Sequence, residues 1–242
     1  HVRFGSMCND ICATSYWYQE GPVRPFFEMP DWPLLQPAQR FESPWGELPR
    51  GTFDLDLPDS GSWWLCGPFW NREDRAMDSD LEAETKFDAE ATHDGKHEED
   101  SNWLTEGSRE LGRDVARWIR RSALRGFVDF NHVFRPQVRG TPGHSYDAAA
   151  IARCVLEVKE DTTASIRLAW DDRMTLRVNA DDPIDLGHND AFEDQTVQVD
   201  LGKGRNVIVI KLSNTKGSNY CGWTFSFLAT LPDGKVVLPR AE

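Results

Sequence analysis

An all-β domain, an antiparallel β-sandwich of jelly-roll type with one helical insertion, is the fold this sequence predicts. It follows an N-terminal extended segment that completes another jelly roll. Three observations predict the sandwich. Ala152, Cys154, Leu156 and Val158 alternate with Arg153, Glu157 and Lys159, and period two returns at Ile166, Leu168 and Trp170, at Met174, Leu176 and Val178, and at Val197, Val199 and Leu201. Such alternation marks strands with one buried face. Residues 206–212 are apolar on both faces, as a central strand is. Turn chemistry separates the runs at Asp171-Asp172, Gly202-Lys203-Gly204 and Lys216-Gly217-Ser218. Trp223, Phe225 and Phe227 then share one face of the last clear strand.

The elements follow in order. Residues 1–5 and 13–19 are strand material, and an isolated strand pair is marginal in water. Residues 1–20 are therefore expected to be terminal strands of an upstream jelly roll, supplied by polypeptide outside this sequence. A Pro-rich linker spans 21–51, with Pro22, Pro25, Pro30, Pro33 and Pro37, and an accessory sandwich occupies 52–242. Within it, residues 53–57 alternate as a strand, and Trp63 to Phe69 form a short buried strand stopped by Gly67-Pro68. Residues 71–100 are crowded with Asp and Glu and are expected to be a solvated loop. Leu111, Val115, Trp118 and Ile119 then fit one face of a helix over 108–125, with Gly126 placed as its C-cap. Arg109, Arg113, Arg117, Arg120, Arg121 and Arg125 fill much of the remainder, so acidic loop and Arg-rich helix, together 71–126, are expected to neutralise one another.

The 242 residues suit one or two domains. A formal charge of −13 and a pI near 4.9 disfavour nucleic acid, whose binding needs clustered Lys and Arg. No apolar run approaches the length of a membrane span, so no membrane partner is expected. A chain opening on His1 in place of Met is expected to be processed or part of a longer one. Cys8, Cys12, Cys66, Cys154 and Cys221 lack paired metal-type spacing and suit buried thiols, which favours a reducing, cytoplasmic compartment over secretion.

Two resemblances add to this. His1-Val2-Arg3-Phe4-Gly5, Asn9-Asp10 and Tyr16-Trp17-Tyr18-Gln19 resemble the closing strands of the catalytic region in a family of double jelly-roll glycoside hydrolases, formerly a domain of unknown function, active on fructofuranose- and arabinofuranose-type linkages. The resemblance implies that the hydrolytic carboxylates lie upstream. Leu65-Cys66-Gly67-Pro68-Phe69, His93-Asp94-Gly95-Lys96, residues 146–156, Trp170-Asp171-Asp172, Leu176-Arg177-Val178-Asn179 and residues 201–207 resemble β-sandwich modules appended to bacterial carbohydrate-active proteins. They are more distantly similar to the lectin-like module named after anthrax protective antigen. Where such modules often read Asn-Gly, this chain has Asn179-Ala180.

Site candidates each have a plainer alternative. Asp171-Asp172 can supply oxygen ligands to a structural calcium, with Asn179, Asp181 and Asp182 as further donors; the same residues can simply make a turn, or touch a sugar. Trp63, Trp64, Phe69 and Trp70 can stack on sugar rings, although period two sends Trp63 and Trp64 to opposite faces, so one of them is core. Trp63 and Trp70, with Trp17 and Tyr18, are the carbohydrate-binding candidates. His93 and His97 lack the zinc-protease arrangement, and no nucleophile elbow, phosphate loop or dinucleotide fingerprint occurs. The expected protein is a mainly non-catalytic C-terminal portion or subunit of a furanoside-directed glycoside hydrolase, partnered by an upstream jelly-roll polypeptide or by copies of itself. The alternatives are a free-standing carbohydrate-binding module, and a hydrolase subunit completed by another polypeptide.

Overall fold

The computed structural model describes residues 61–95, 115–123, 126–134, 147–215 and 223–242. The chain divides into two compact units, His1–Pro49 and Arg50–Glu242, and every described residue belongs to the second. The expected strands at 1–20 and 53–57, the linker, Trp17, Tyr18, Cys8, Cys12, Cys221 and the first half of the expected helix lie outside the described residues.

Ten strands are present among those described: β1 (Ser62–Trp70), β2 (Thr92–Asp94), β3 (Val115–Ser122), β4 (Phe127–Asp129), β5 (Ala148–Val158), β6 (Thr162–Val178), β7 (Ile184–Leu201), β8 (Gly204–Asn214), β9 (Thr224–Thr230) and β10 (Val236–Val237). Two short helices, α1 (Glu82–Thr85) and α2 (Phe130–Phe134), and a 3-10 turn at Arg72–Asp74 accompany them. All strand pairings are antiparallel, in the order β10-β9-β6-β8-β5-β1-β3-β2, with β4 also on β9 and β7 on β6.

This hydrogen-bonded path folds over on itself. In a flat sheet β1 and β9 would stand about 19 Å apart, at about 4.8 Å per strand. Yet the Trp63 ring lies edge-on to Phe225 and Phe227, at centroid distances of 5.3 and 5.1 Å. The fold-over happens along β6. Its first half, Ser165 to Trp170, pairs with β9, and its second half, Met174 to Val178, pairs with β8. Between them the register with β7 slips, and Asp172 adopts φ 69°. A strand that passes from one sheet to the other through a bulge is how such sandwiches make corners. Residues 171–172 are thus a bulge within one continuous strand, and the expected turn between two strands is corrected.

The sandwich core follows from the alternation. Leu65 from β1, Ala150, Ala152, Cys154 and Leu156 from β5, Ile166 and Leu168 from β6, and Ile208, Ile210 and Leu212 from β8 are all buried in one cluster. The rings of α2 close the cluster at β9: Phe130 and Phe134, both fully buried, pack at 5.4 and 5.8 Å from Trp223.

The outer face of β1, β5 and β8 is covered too. Ala76, Met77, Leu81 and Ala83, from the arm joining β1 to β2, pack with Cys66, Ala149, Ile151 and Val209 in a second cluster. Burial on both faces explains why β5 and β8 carry apolar residues at nearly every position.

Two further expectations are corrected. Residues 115–122 are strand, not helix: Ala116 and Trp118 are buried while Arg117 is exposed, and Ser62 to Gly67 of β1 pair with them in register. Val115, Trp118 and Ile119 satisfy a helical spacing, but Ala116 and Trp118 equally satisfy period two, and a waiting strand edge decides. β1 also runs through Gly67-Pro68 to Trp70, with a register shift between Cys66 and Phe69 in place of a stop.

Candidate functional site

Asp172 is fully buried at the β6 bulge. Its Oδ2 accepts the Thr215 backbone N–H, and the Thr215 hydroxyl lies 3.2 Å away. His188 Nε2 stands 4.0 Å from Asp172 Oδ1. The carboxylate ties the bend of β6 to the end of β8. Asn179 does not join it. Seven residues along an extended strand is about 23 Å, and Asn179 is committed elsewhere: its Oδ1 accepts the Val207 N–H at 2.9 Å and its Nδ2 donates to Asn206 Oδ1 at 3.1 Å. Asn206 in turn holds Gly202 of the β7–β8 turn. Asn179 itself takes φ 54°, so it supplies the left-handed turn position that a following glycine would otherwise fill. The calcium set Asp171, Asp172 and Asn179 is therefore not assembled, and among the described residues no three His, Cys, Asp or Glu side chains gather as a metal group.

The acidic arm is bound to the sheet by two cations of its outer face. Lys211 of β8 and Glu84 of α1 form a buried pair at 2.7 Å, and Lys211 also donates to the Ser79 carbonyl at 2.9 Å. Glu84 Oε1 accepts the Leu81 N–H at the helix start. Arg173 of β6 reaches Asp78 at 2.7 Å, Asp185 of β7 at 2.9 Å and Asp74 at 3.6 Å. The hydrogen bonds to Asp185 and Asp78 raise the Arg173 pKa, and the bond from Arg173 holds the Asp185 carboxyl below its ordinary range. Asn71 Oδ1 accepts the N–H groups of Ala76 and Met77, which fixes the arm's first turn. These ion pairs of the acidic stretch run to Arg173 and Lys211.

The aromatic candidates divide by face. Trp63 is 1% exposed and points into the sandwich core. Trp70 is 5% exposed, with the Arg75 guanidinium 5.1 Å from its ring centroid. Neither offers a free ring to a sugar, which corrects their assignment. Trp64, the opposite-face neighbour of Trp63, is only partly buried. Phe87 of the arm lies 5.6 Å from Trp64 and 5.1 Å from Trp118, and the Arg153 guanidinium sits 4.2 Å from the Phe87 ring centroid. Strand register places Arg120, Trp64 and Arg153 side by side on β3, β1 and β5.

Beside this row the C-terminal tail crosses the sheet. Val155 and Arg240 exchange backbone bonds of 2.8 and 3.0 Å, and Ser62 N–H donates to the Pro239 carbonyl at 2.9 Å. Gly61, at φ 83°, permits this approach, since a Cβ there would stand 2.6 Å from the Pro239 oxygen. A cavity of about 220 Å³ opens between tail and sheet, lined by Ser62, Arg120, Arg240 and Glu242 among others. Arg205 pairs with Glu242 at 2.8 Å, and Arg153 donates to the Glu242 carbonyl at 3.0 Å. Desolvation lowers the Arg153 pKa, and the Arg205 charge adds to that. Phe87, Arg120 and Arg153 are not among the sequence-derived site residues. The Trp63-Trp64 pair is the signal that could have led there, because one ring had to face outward.

Fold and outer face together define an antiparallel β-sandwich with an aromatic and arginine-bearing surface. No family model matches the sequence, and no curated protein matches it. Among solved structures, the PA14 domain of the antifreeze protein MpAFP is similar at 15% identity, covering 78% of this chain and 97% of that one, with a TM-score of 0.33. At that score the likeness adds nothing to what strand register establishes.

Proposed function

We propose that this sandwich is the non-catalytic accessory module of a glycoside hydrolase acting on furanoside-type carbohydrate, and that it contacts carbohydrate through Trp64, Phe87 and Arg153. The observation that carries the contact is the partly buried Trp64 ring, set beside Phe87 and between Arg120 and Arg153. An aromatic face packs against the C–H face of a sugar, and a guanidinium offers five N–H donors to ring hydroxyls. The hydrolase setting rests on the sequence resemblances. Glu84, Asp172 and Asp185 are engaged in structural bonds and serve as braces. In this role the module steadies the hydrolase and holds carbohydrate weakly, while hydrolysis belongs to carboxylates upstream.

Affinity electrophoresis of the purified chain through arabinan, levan and pectin tests the contact. Retardation by at least one polymer, lost in Trp64→Ala with melting temperature within a few degrees of the parent, is expected. Retardation that survives Trp64→Ala contradicts the assignment. Turnover of arabinofuranosides or fructofuranosides by the pure chain contradicts the non-catalytic role.

A further inference from the structure

We infer that the saccharide held by this face carries carboxylate groups, a sparsely charged uronate-bearing oligosaccharide whose acid groups meet the arginines flanking Trp64. The inference rests on the proposed carbohydrate contact and names its ligand class.

Charge placement carries it. The chain as a whole bears −13, yet on this face register aligns Arg120, Trp64, Arg153, Val209 and Arg177 in one row across five strands. Residues directly opposite in paired strands share a face. Arginine therefore recurs at every second strand, about 10 Å apart at the usual strand spacing. Arg240 lies beside the row on the crossing tail, and Arg205 on β8. Described acidic groups of the same outer face meet cations: Glu84 pairs with Lys211, and Asp74, Asp78 and Asp185 meet Arg173. Glu242 is paired with Arg205, and Glu157 stands opposite Arg205 in register. Arg177 donates to the Asp181 backbone carbonyl at 3.2 Å. Arg153, half-buried over Phe87, meets the carbonyl of Glu242, and burial and Arg205 both disfavour its charge. An incoming carboxylate would offset both effects through a charge-assisted, bidentate bond.

The cavity sets the scale. At about 220 Å³ it is smaller than pockets that enclose drug-sized ligands, roughly 300–1,000 Å³. One carboxylate-bearing unit would lie between Arg120 and Arg240, with the rest of the oligosaccharide crossing toward Trp64 and Phe87. The net charge argues against a long polyanion. Screening over about 8 Å at physiological salt leaves the local row free to act on isolated carboxylates.

Calorimetric titration with trigalacturonate and with its carboxyl-reduced neutral trisaccharide separates the possibilities. The expected result is binding of trigalacturonate at least tenfold tighter than the neutral sugar, with the advantage shrinking as salt rises. Arg177→Gln, at the far end of the row from the Trp64, Phe87 and Arg153 contact, should reduce that advantage while leaving neutral-sugar affinity unchanged, whereas Arg120→Gln, beside Trp64 and lining the cavity, should weaken both sugars and trigalacturonate more. Trp64→Ala should abolish both. Equal affinity for the two trisaccharides overturns the anionic preference and leaves the carbohydrate contact standing. Binding of neither overturns both.

Discussion

At the scale of single residues, the adjacent tryptophans do opposite work. Trp63 fills the core against Phe225 and Phe227, so Trp63→Ala should cost about 3–5 kcal/mol, read as a lower urea midpoint. Trp64→Ala should cost much less and act on ligand binding. Lys211 and Glu84 form a pair whose side chains are 5% and 3% exposed. Removing one partner strands the other charge, so Lys211→Met should destabilise by about 3–5 kcal/mol. The double variant Lys211→Met/Glu84→Leu should recover most of that loss in the same denaturation series. Asp185 behaves differently because it is half exposed. Arg173 depresses its pKa below the ordinary 3.8, so its contribution is fully present above that value and is lost as pH falls through the folded one. Exposure keeps it to about 1 kcal/mol or less. Asp185→Asn should lower neutral stability by that amount, about 1 kcal/mol or less, and flatten the stability profile below pH 4, where parent and variant converge.

Among the elements, β6 and the acidic arm decide the architecture. Asp172→Ala removes the acceptor for the Thr215 N–H at the bend, and an unsatisfied buried donor costs about 1–3 kcal/mol. Arg173→Ala should loosen the arm first: amide exchange over residues 71–85 should quicken while β5 and β8 stay protected. Uniform exchange across all three would contradict a separately clamped arm. Sequence made β5 and β8 legible because their apolar periods are strong. The start of β7 carried no such signal: its side chains at 184–189 are exposed or half-buried, and backbone pairing with β6 holds it. The β3 stretch was misread because helix and strand periods coincide over Val115 to Ile119. Asp171-Asp172 has turn chemistry, and only the partners of β6 on each side reveal a bulge. The same limit hid the site, since period two separates Trp63 from Trp64 but does not say which face is core.

For the second compact unit as a whole, the acidic arm packs over Cys66, Ile151 and Val209 of one sheet, and among the described residues Arg120, Trp64, Arg153 and Arg177 share that face with it. Among the described residues, Cys66 and Cys154 are free and fully buried, and burial raises both thiol pKa values. The most direct test is a side-chain NMR titration of the chain with trigalacturonate, following the tryptophan indole N–H signals. The Trp64 signal should move with ligand while those of Trp63, Trp170 and Trp223 stay fixed. A Trp64 signal that stays still while others shift would contradict the account.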